Sequence, residues 1–164
     1  MAQQPAAAEN LSSDNACSSV TAGASRPMLS VVIPVYNGTP YLPQLIESLL
    51  AQQRISNEVL VVDDRSTDDS AAMIARLGAG LTGLRVIGQK NQGQAAARNA
   101  GMRQATGRYP AFLDADDMVD AGMYAKLVGL AEGEQLDIAI GNAWNFHEGR
   151  KPDTLVYRDV PDNR

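Results

Sequence analysis

The chain has 164 residues, 14 Lys+Arg against 19 Asp+Glu (net charge −5) and 45% hydrophobic residues, which suits one domain burying roughly 68–70% of its unfolded surface and excludes disorder throughout. The acidic balance argues against a nucleic-acid binder, which needs clustered Lys and Arg, and the single cysteine, Cys17, excludes an intrachain disulfide or a cysteine-based zinc cage. The N-terminus lacks the basic region and apolar stretch of a signal peptide and no apolar run nears the roughly 18 residues of a membrane span, so a cytoplasmic protein without a transmembrane segment is expected.

Residues 1–27 hold seven alanines and five serines, no aromatic residue, and only Leu11 and Val20 as branched apolar side chains. Such a segment cannot offset the entropy of ordering it, and a disordered tail is expected, with the folded domain over 28–164. Leu29 to Val35 (LSVVIPV) is a continuous, β-branched apolar run that suits a strand buried on both faces. A helix follows, with Leu42, Leu45, Ile46, Leu49 and Leu50 at helical spacing. Glu58 to Asp63 is a second buried-strand run, and Thr67, Asp68 and Asp69 open a helix (SAAMIARL) that Gly78 ends. LRVIG reads as a third strand, QAAARNAGMRQAT as a third helix ending near Gly107, and RYPAFLD as a fourth strand. A helix from about Val119 to Ala131 and a strand from Asp137 to Gly141 complete the series. This alternation predicts right-handed βαβ units, a mostly parallel sheet and a three-layer α/β/α fold.

In such sheets ligands sit beyond the carboxyl ends of the strands. Those ends carry Tyr36-Asn37-Gly38, Asp63-Asp64-Arg65-Ser66, Lys90-Asn91-Gln92-Gly93 and Asp114-Ala115-Asp116-Asp117. Five carboxylates on one rim repel each other unless a cation or hydrogen-bond donors compensate. Asp114 and Asp116 are two residues apart, so a persisting strand would point both to one side. Oxygen ligands of this kind suit Mg²⁺ or Mn²⁺, with positions left open for substrate phosphates.

VVIPVYNG, VVDDRSTDDS and NQGQAAARNAGMRQATGRYPAFLDADD, in this order and spacing, resemble a family 2 glycosyltransferase from Leu29 to about Asn142. The resemblance implies a Rossmann-like GT-A fold and inverting transfer of a sugar from a nucleotide-sugar donor, usually a UDP-sugar. By the same resemblance, Pro34, Val35, Tyr36 and Asn37 form the first wall of the nucleotide pocket. Asp64 is similar to the acid that contacts the base, while Asp63 shapes the turn. Asn91 and Gly93 belong to the loop beside the nucleotide. Arg98 braces Asp114 or the phosphates, or forms a structural salt bridge. Asp114 corresponds to the residue near the ribose, and Asp116 to the metal ligand of the DxD motif for Mn²⁺ or Mg²⁺. Asp117 resembles a supporting acid beside it. The implied partners are the donor and a saccharide or glycolipid acceptor, such as a bacterial surface polysaccharide, with peripheral membrane association of the full-length protein compatible with it. The chain departs from the family in one respect: no Glu-Asp pair follows Asp117, so no catalytic base is identified, and Asp137, Asp153, Asp159 and Asp162 are candidates by residue type alone. The expected chain carries the donor half of the fold without the acceptor half.

Other readings are weaker. Gly78 to Gly83 spells GxGxxG, but it follows a helix and precedes a strand, the wrong order for a dinucleotide site. VLVVDDRS resembles a response-regulator receiver, yet the acidic pair should end the first strand. FLDADDMV resembles a phosphohydrolase motif, which also belongs after the first strand. A catalytically incompetent nucleotide-binding remnant or scaffold is the alternative to an active transferase. His147 suits a solvated turn, and Trp144 suits the core or stacking on a sugar ring.

Overall fold

The computed structural model describes residues 26–52, 55–145 and 154–155. Four strands, β1 (Leu29–Val35), β2 (Asn57–Asp63), β3 (Leu84–Gly88) and β4 (Tyr109–Phe112), form one sheet in the order β3-β2-β1-β4. All three pairings are parallel, with Leu29 opposite both Asn57 and Tyr109, and Val59 opposite Leu84. β1 lies between two neighbours and every residue of it is buried, as its unbroken apolar run requires.

The sheet is covered on both faces. Leu29, Val31, Ile33 and Val35 pack with Val59 and Val61 against Leu42, Leu45, Ile46 and Leu49 of α1 (Leu42–Leu50), Ile74 of α2 (Ser70–Leu77) and Tyr124 of α4 (Met123–Glu134). The opposite face, Val32, Leu60 and Val62, packs against Ala97 of α3 (Gln94–Gln104). This α3 has no bulky apolar stripe; it seats itself through small residues one turn apart, Ala97 and Gly101. A Cβ on Gly101 would lie 2.4 Å from Val32 Cγ1, so the absence of a side chain sets the helix-to-sheet distance.

At the amino end of the sheet, the buried Glu58 carboxylate accepts from Ser30 Oγ (2.6 Å), the Thr106 N–H (2.6 Å) and Thr106 Oγ1 (2.9 Å). Burial raises its pKa, but these donors and the Gly107 N–H outweigh that, and the carboxyl titrates below its usual range. The same edge is held by Arg26, whose guanidinium donates to the Thr106 and Gly107 carbonyls, and by Pro27, whose carbonyl accepts the Arg108 N–H (3.1 Å). Arg26 and Pro27, expected in the tail, therefore attach to the domain; Cys17 and the rest of the tail lie outside the described residues.

Two other expectations change, at the start of α4 and at Asp137 to Gly141, while Gly78 ends α2 and GxGxxG is a loop as expected. Helix α4 starts at Met123 rather than Val119, because Asp120 first closes a turn onto the Met123 N–H (3.0 Å). Gly78 sits at the end of α2 with a right-handed φ of −76° and leads into a 3₁₀ turn, Gly78–Gly80, so GxGxxG is a connection and not a phosphate loop. Asp137 to Gly141 is not a strand. Its alternating apolar residues fit the pattern, but among the described residues no strand pairs with it, and Ile138 and Ile140 are 75% and 76% exposed. A short antiparallel pair, β5 (Trp144–Asn145) and β6 (Thr154–Leu155), follows instead.

Candidate functional site

A cleft of about 400 Å³ opens at the carboxyl ends of β1, β2 and β4. Pro34 explains why it opens there. Val32 bonds toward β4 through the Leu113 N–H (3.2 Å), and Pro34, two residues on, faces the same side without an N–H to give. The β1–β4 pairing stops at Val32 and Phe112, and the strands part above it. Pro34, Val35, Tyr36, Asn37, Asp64, Asn91, Gly93 and Asp116, all expected at a nucleotide pocket, line this cleft. Gly38, Tyr41, Gln94, Ala97 and Ala115 line it too and were not expected. Tyr36 and Tyr41 are both half exposed, two aromatic faces on one wall.

The wall is stiffened by cross-links between the two loops that follow β1 and β2. Asn37, in left-handed backbone (φ 52°), accepts on Oδ1 from the Thr67 N–H (2.8 Å) and Oγ1 (3.2 Å). Its own N–H donates to Ser66 Oγ (3.0 Å). The Gly38 N–H donates to buried Ser70 Oγ (2.9 Å), which donates in turn to Asp68 Oδ1 (2.5 Å). Asp68 Oδ2 accepts from Thr39 Oγ1 (2.6 Å). Asp68 thus holds two loops together rather than merely favouring the helix dipole. Although partial desolvation raises its pKa, the Ser70 and Thr39 donors bring it from 3.8 down to about 2. Asp63 shapes the turn as expected, accepting the Ser66 N–H (3.0 Å).

Asp64 is 3% exposed at the base of the cleft. Its Oδ1 accepts from Gln89 Nε2 (2.7 Å) and the Gln92 N–H (2.9 Å), and its Oδ2 from the Gly93 N–H (2.7 Å). Burial pushes its pKa up, the three donors push it down, and the donors prevail. Gly93 precedes α3 with φ 86°, a conformation L side chains avoid, and nothing lies within 4 Å of where its Cβ would stand. The loop that carries Asn91 is thereby shaped by Asp64 from below and by a glycine at its hinge into α3.

The acidic turn divides its labour. β4 ends at Phe112, and the Asp117 N–H closes a turn on the Asp114 carbonyl (3.1 Å), so the alternation expected for Asp114 and Asp116 does not apply. Asp114 is instead engaged from α3, by Arg98 Nη2 and by Gln94 Nε2 (3.1 Å), and Arg98 braces Asp114 as one reading of it required. Arg98 and Asp114 do not line the cleft themselves. Asp116 lines its mouth, and among the described residues no cation pairs with it. Burial, then the charges of Asp116 and Asp114, raise the Asp117 carboxyl above its usual range. Of the five rim carboxylates, three are compensated by protein donors, and the unbalanced charge stands at Asp116 and Asp117.

No group of three or more His, Cys, Asp or Glu among the described residues could cage a metal. One unpaired carboxylate at the mouth of a cleft fits a different arrangement, a hard cation that completes its shell with substrate phosphates and water. Asp137 lines a groove between β4 and α4, away from this cleft. Trp144 is 53% exposed and is not a core residue. His147, Asp153, Asp159 and Asp162 lie outside the described residues, and no helix among those described is long and apolar enough to cross a membrane.

Residues 30–162 match the family described as Glycosyl transferase family 2. The uncharacterized glycosyltransferase YibD of Escherichia coli (strain K12) is 40% identical over 137 residues, 83% of this chain and 39% of that protein. The crystal structure of S. aureus TarS 1-349 in complex with UDP-GlcNAc is similar with a TM-score of 0.65 and 26% identity, over 77% of this chain and 37% of that one. The mannosyltransferase PcManGT from Pyrobaculum calidifontis, in complex with GDP-Man and Mn²⁺, has a TM-score of 0.55 and 29% identity, over 60% of this chain and 30% of that one. This chain spans less than half the length of each of these proteins. The parallel sheet with helices on both faces resembles the GT-A glycosyltransferase structure of TarS, and the chain belongs to glycosyl transferase family 2.

Proposed function

We propose that the cleft binds the nucleotide diphosphate of a sugar donor, a UDP-sugar first among candidates, and that the protein transfers the sugar to a saccharide or glycolipid hydroxyl with inversion. The observation that carries this reading is the pairing, within one cleft, of a buried and firmly held Asp64 with an exposed, unpaired Asp116. Asp64 and the loop it shapes offer fixed polar atoms and backbone to the base and ribose end. Tyr36 and Tyr41 offer apolar faces to the same end. Asp116 is the residue that would hold Mn²⁺ or Mg²⁺, which when bound supplies positive charge for the departing diphosphate. Binding of UDP-GlcNAc by TarS and of GDP-Man with Mn²⁺ by PcManGT supports the same assignment.

The cleft lining also favours a second reading, a nucleotide-binding remnant or scaffold. Among the described residues it holds two carboxylates, Asp64 and Asp116. The first is engaged by three donors and the second is the cation ligand, so neither is left to take the proton of an attacking hydroxyl. The test is turnover of a panel of UDP-sugars with and without hydroxyl acceptors, with the anomeric configuration of any product read by NMR. Transfer with inversion supports the enzyme; a product of retained configuration contradicts the mechanism. UDP binding without any turnover by the full-length protein supports the remnant.

A further inference from the structure

Asp114 stands off the cleft, held by Arg98, whereas Gln94 lines the cleft and donates its Nε2 to Asp114 Oδ1 (3.1 Å). An ionised carboxylate only accepts, so it is the amide nitrogen of Gln94 that must face it. The amide oxygen, Oε1, is then the atom left for a ligand, and among the described residues nothing donates to it. Gln94 is exposed at the first position of α3, and its tether to Asp114 fixes the plane in which that acceptor is offered. Its neighbours on either side indicate what it accepts from. The preceding residue, Gly93, gives its N–H to Asp64 at the base of the cleft (2.7 Å). In the other direction, Asp114 is two residues from Asp116 at the cleft mouth.

Resting on the nucleotide-binding reading above, we propose that Gln94 recognises the ribose: its Oε1 accepts a hydrogen bond from a ribose hydroxyl of the bound nucleotide. A nucleotide laid with its base at Asp64 and its diphosphate at Asp116 carries its ribose past Gln94, because the ribose joins those two parts. The contact that the family resemblance implies for Asp114 thus passes to a side chain in the cleft lining, and Asp114 becomes its support. Arg98 neutralises Asp114 from the far side, so the carboxylate can hold the amide without adding an unbalanced charge beside the diphosphate. An acceptor placed for a hydroxyl discriminates against a ligand that lacks one, since the acceptor then loses its partner. Gln94 is therefore a specificity-determining residue, for ribonucleotides over their deoxy analogues.

The experiment titrates the 164-residue chain and Gln94→Leu, each with Mn²⁺, with UDP, 2′,3′-dideoxy-UDP and UDP-GlcNAc. Leucine keeps the bulk of an exposed helical residue and removes only the amide. The wild-type chain is expected to bind UDP at least fivefold more tightly than the dideoxy analogue. Gln94→Leu is expected to bind UDP about fivefold more weakly than wild type does, and the dideoxy analogue equally well. A variant that keeps the full wild-type preference for UDP overturns this inference and leaves the nucleotide reading intact. Equal weakening toward UDP and the dideoxy analogue overturns it too, since Gln94 then only shapes the cleft. Weaker binding of UDP-GlcNAc with UDP binding unchanged also overturns it, because the amide oxygen then serves the transferred sugar. A wild-type chain that binds no UDP with Mn²⁺ overturns the nucleotide reading and this inference with it.

Discussion

The Asp64 carboxylate accepts the Gly93 backbone N–H at 2.7 Å and so ties the end of β2 to the residue that opens α3. With Gln89 and Gln92 as its other donors, one buried side chain shapes the whole loop that crosses the cleft. Asp64→Asn keeps the volume but replaces an acceptor oxygen by an NH₂ that faces N–H groups. The expected loss is about 1.5–3 kcal/mol of stability, the range for hydrogen bonds to a charged group, with weaker UDP binding as the loop loosens. Urea unfolding of the two proteins measures the first effect and UDP titration the second.

Acid should unfold this protein from a defined side. Asp64, Asp68 and Glu58 all titrate lower in the folded protein than in the unfolded chain. Their contribution is fully present above the ordinary carboxylate range and is lost as the pH falls through the folded values, which for Asp68 means from 3.8 toward about 2. Asp117, raised in the folded state, works in the opposite sense and gives a small relief as it protonates. Melting temperature is therefore expected to hold from pH 7 to about 5 and to fall steeply below 4. Asp68→Ala should lower the plateau and flatten the fall.

Gly101 sets two effects against each other. Alanine is favoured over glycine within a helix by about 1 kcal/mol. A Cβ at this position, however, meets Val32 Cγ1 at 2.4 Å and Val62 Cγ2 at 3.2 Å, both on the buried face of the sheet. Overpacking of this kind costs about 1–3 kcal/mol, so Gly101→Ala is expected to destabilise, by about 1 kcal/mol net. Chemical denaturation reads the sign directly, and a stabilised variant would mean that α3 stands farther from the sheet.

Much of this architecture was legible from local pattern. The β-branched runs at Leu29–Val35 and Asn57–Asp63 are central strands, and their ends carry most of the residues that line the cleft. Pairing was not legible. Asp137 to Gly141 has a strand's alternation, yet a strand exists only where a neighbour supplies the ladder, and sequence alternation says nothing of neighbours. The division of the acidic turn was hidden for a similar reason: Asp114 faces Arg98 and Gln94 only because β4 stops at Phe112, two residues before the aspartate. Tyr41 and Gln94 reach the cleft from the first turns of helices, where the sequence marks a helix start but not what lies in front of it. The loop cross-links Asn37–Thr67 and Thr39–Asp68 join residues roughly 30 apart, beyond any local signal.

The central claim is that Asp116 holds a divalent cation through which the cleft takes a nucleotide diphosphate. Calorimetric titration of UDP into the 164-residue chain and into Asp116→Ala, each with Mn²⁺ and with EDTA, tests it most directly. The account predicts binding by the wild-type chain with Mn²⁺, at least tenfold weaker binding in EDTA, and no difference between the two conditions for Asp116→Ala. Equally tight binding of UDP by the wild-type chain in EDTA and in Mn²⁺ would contradict it.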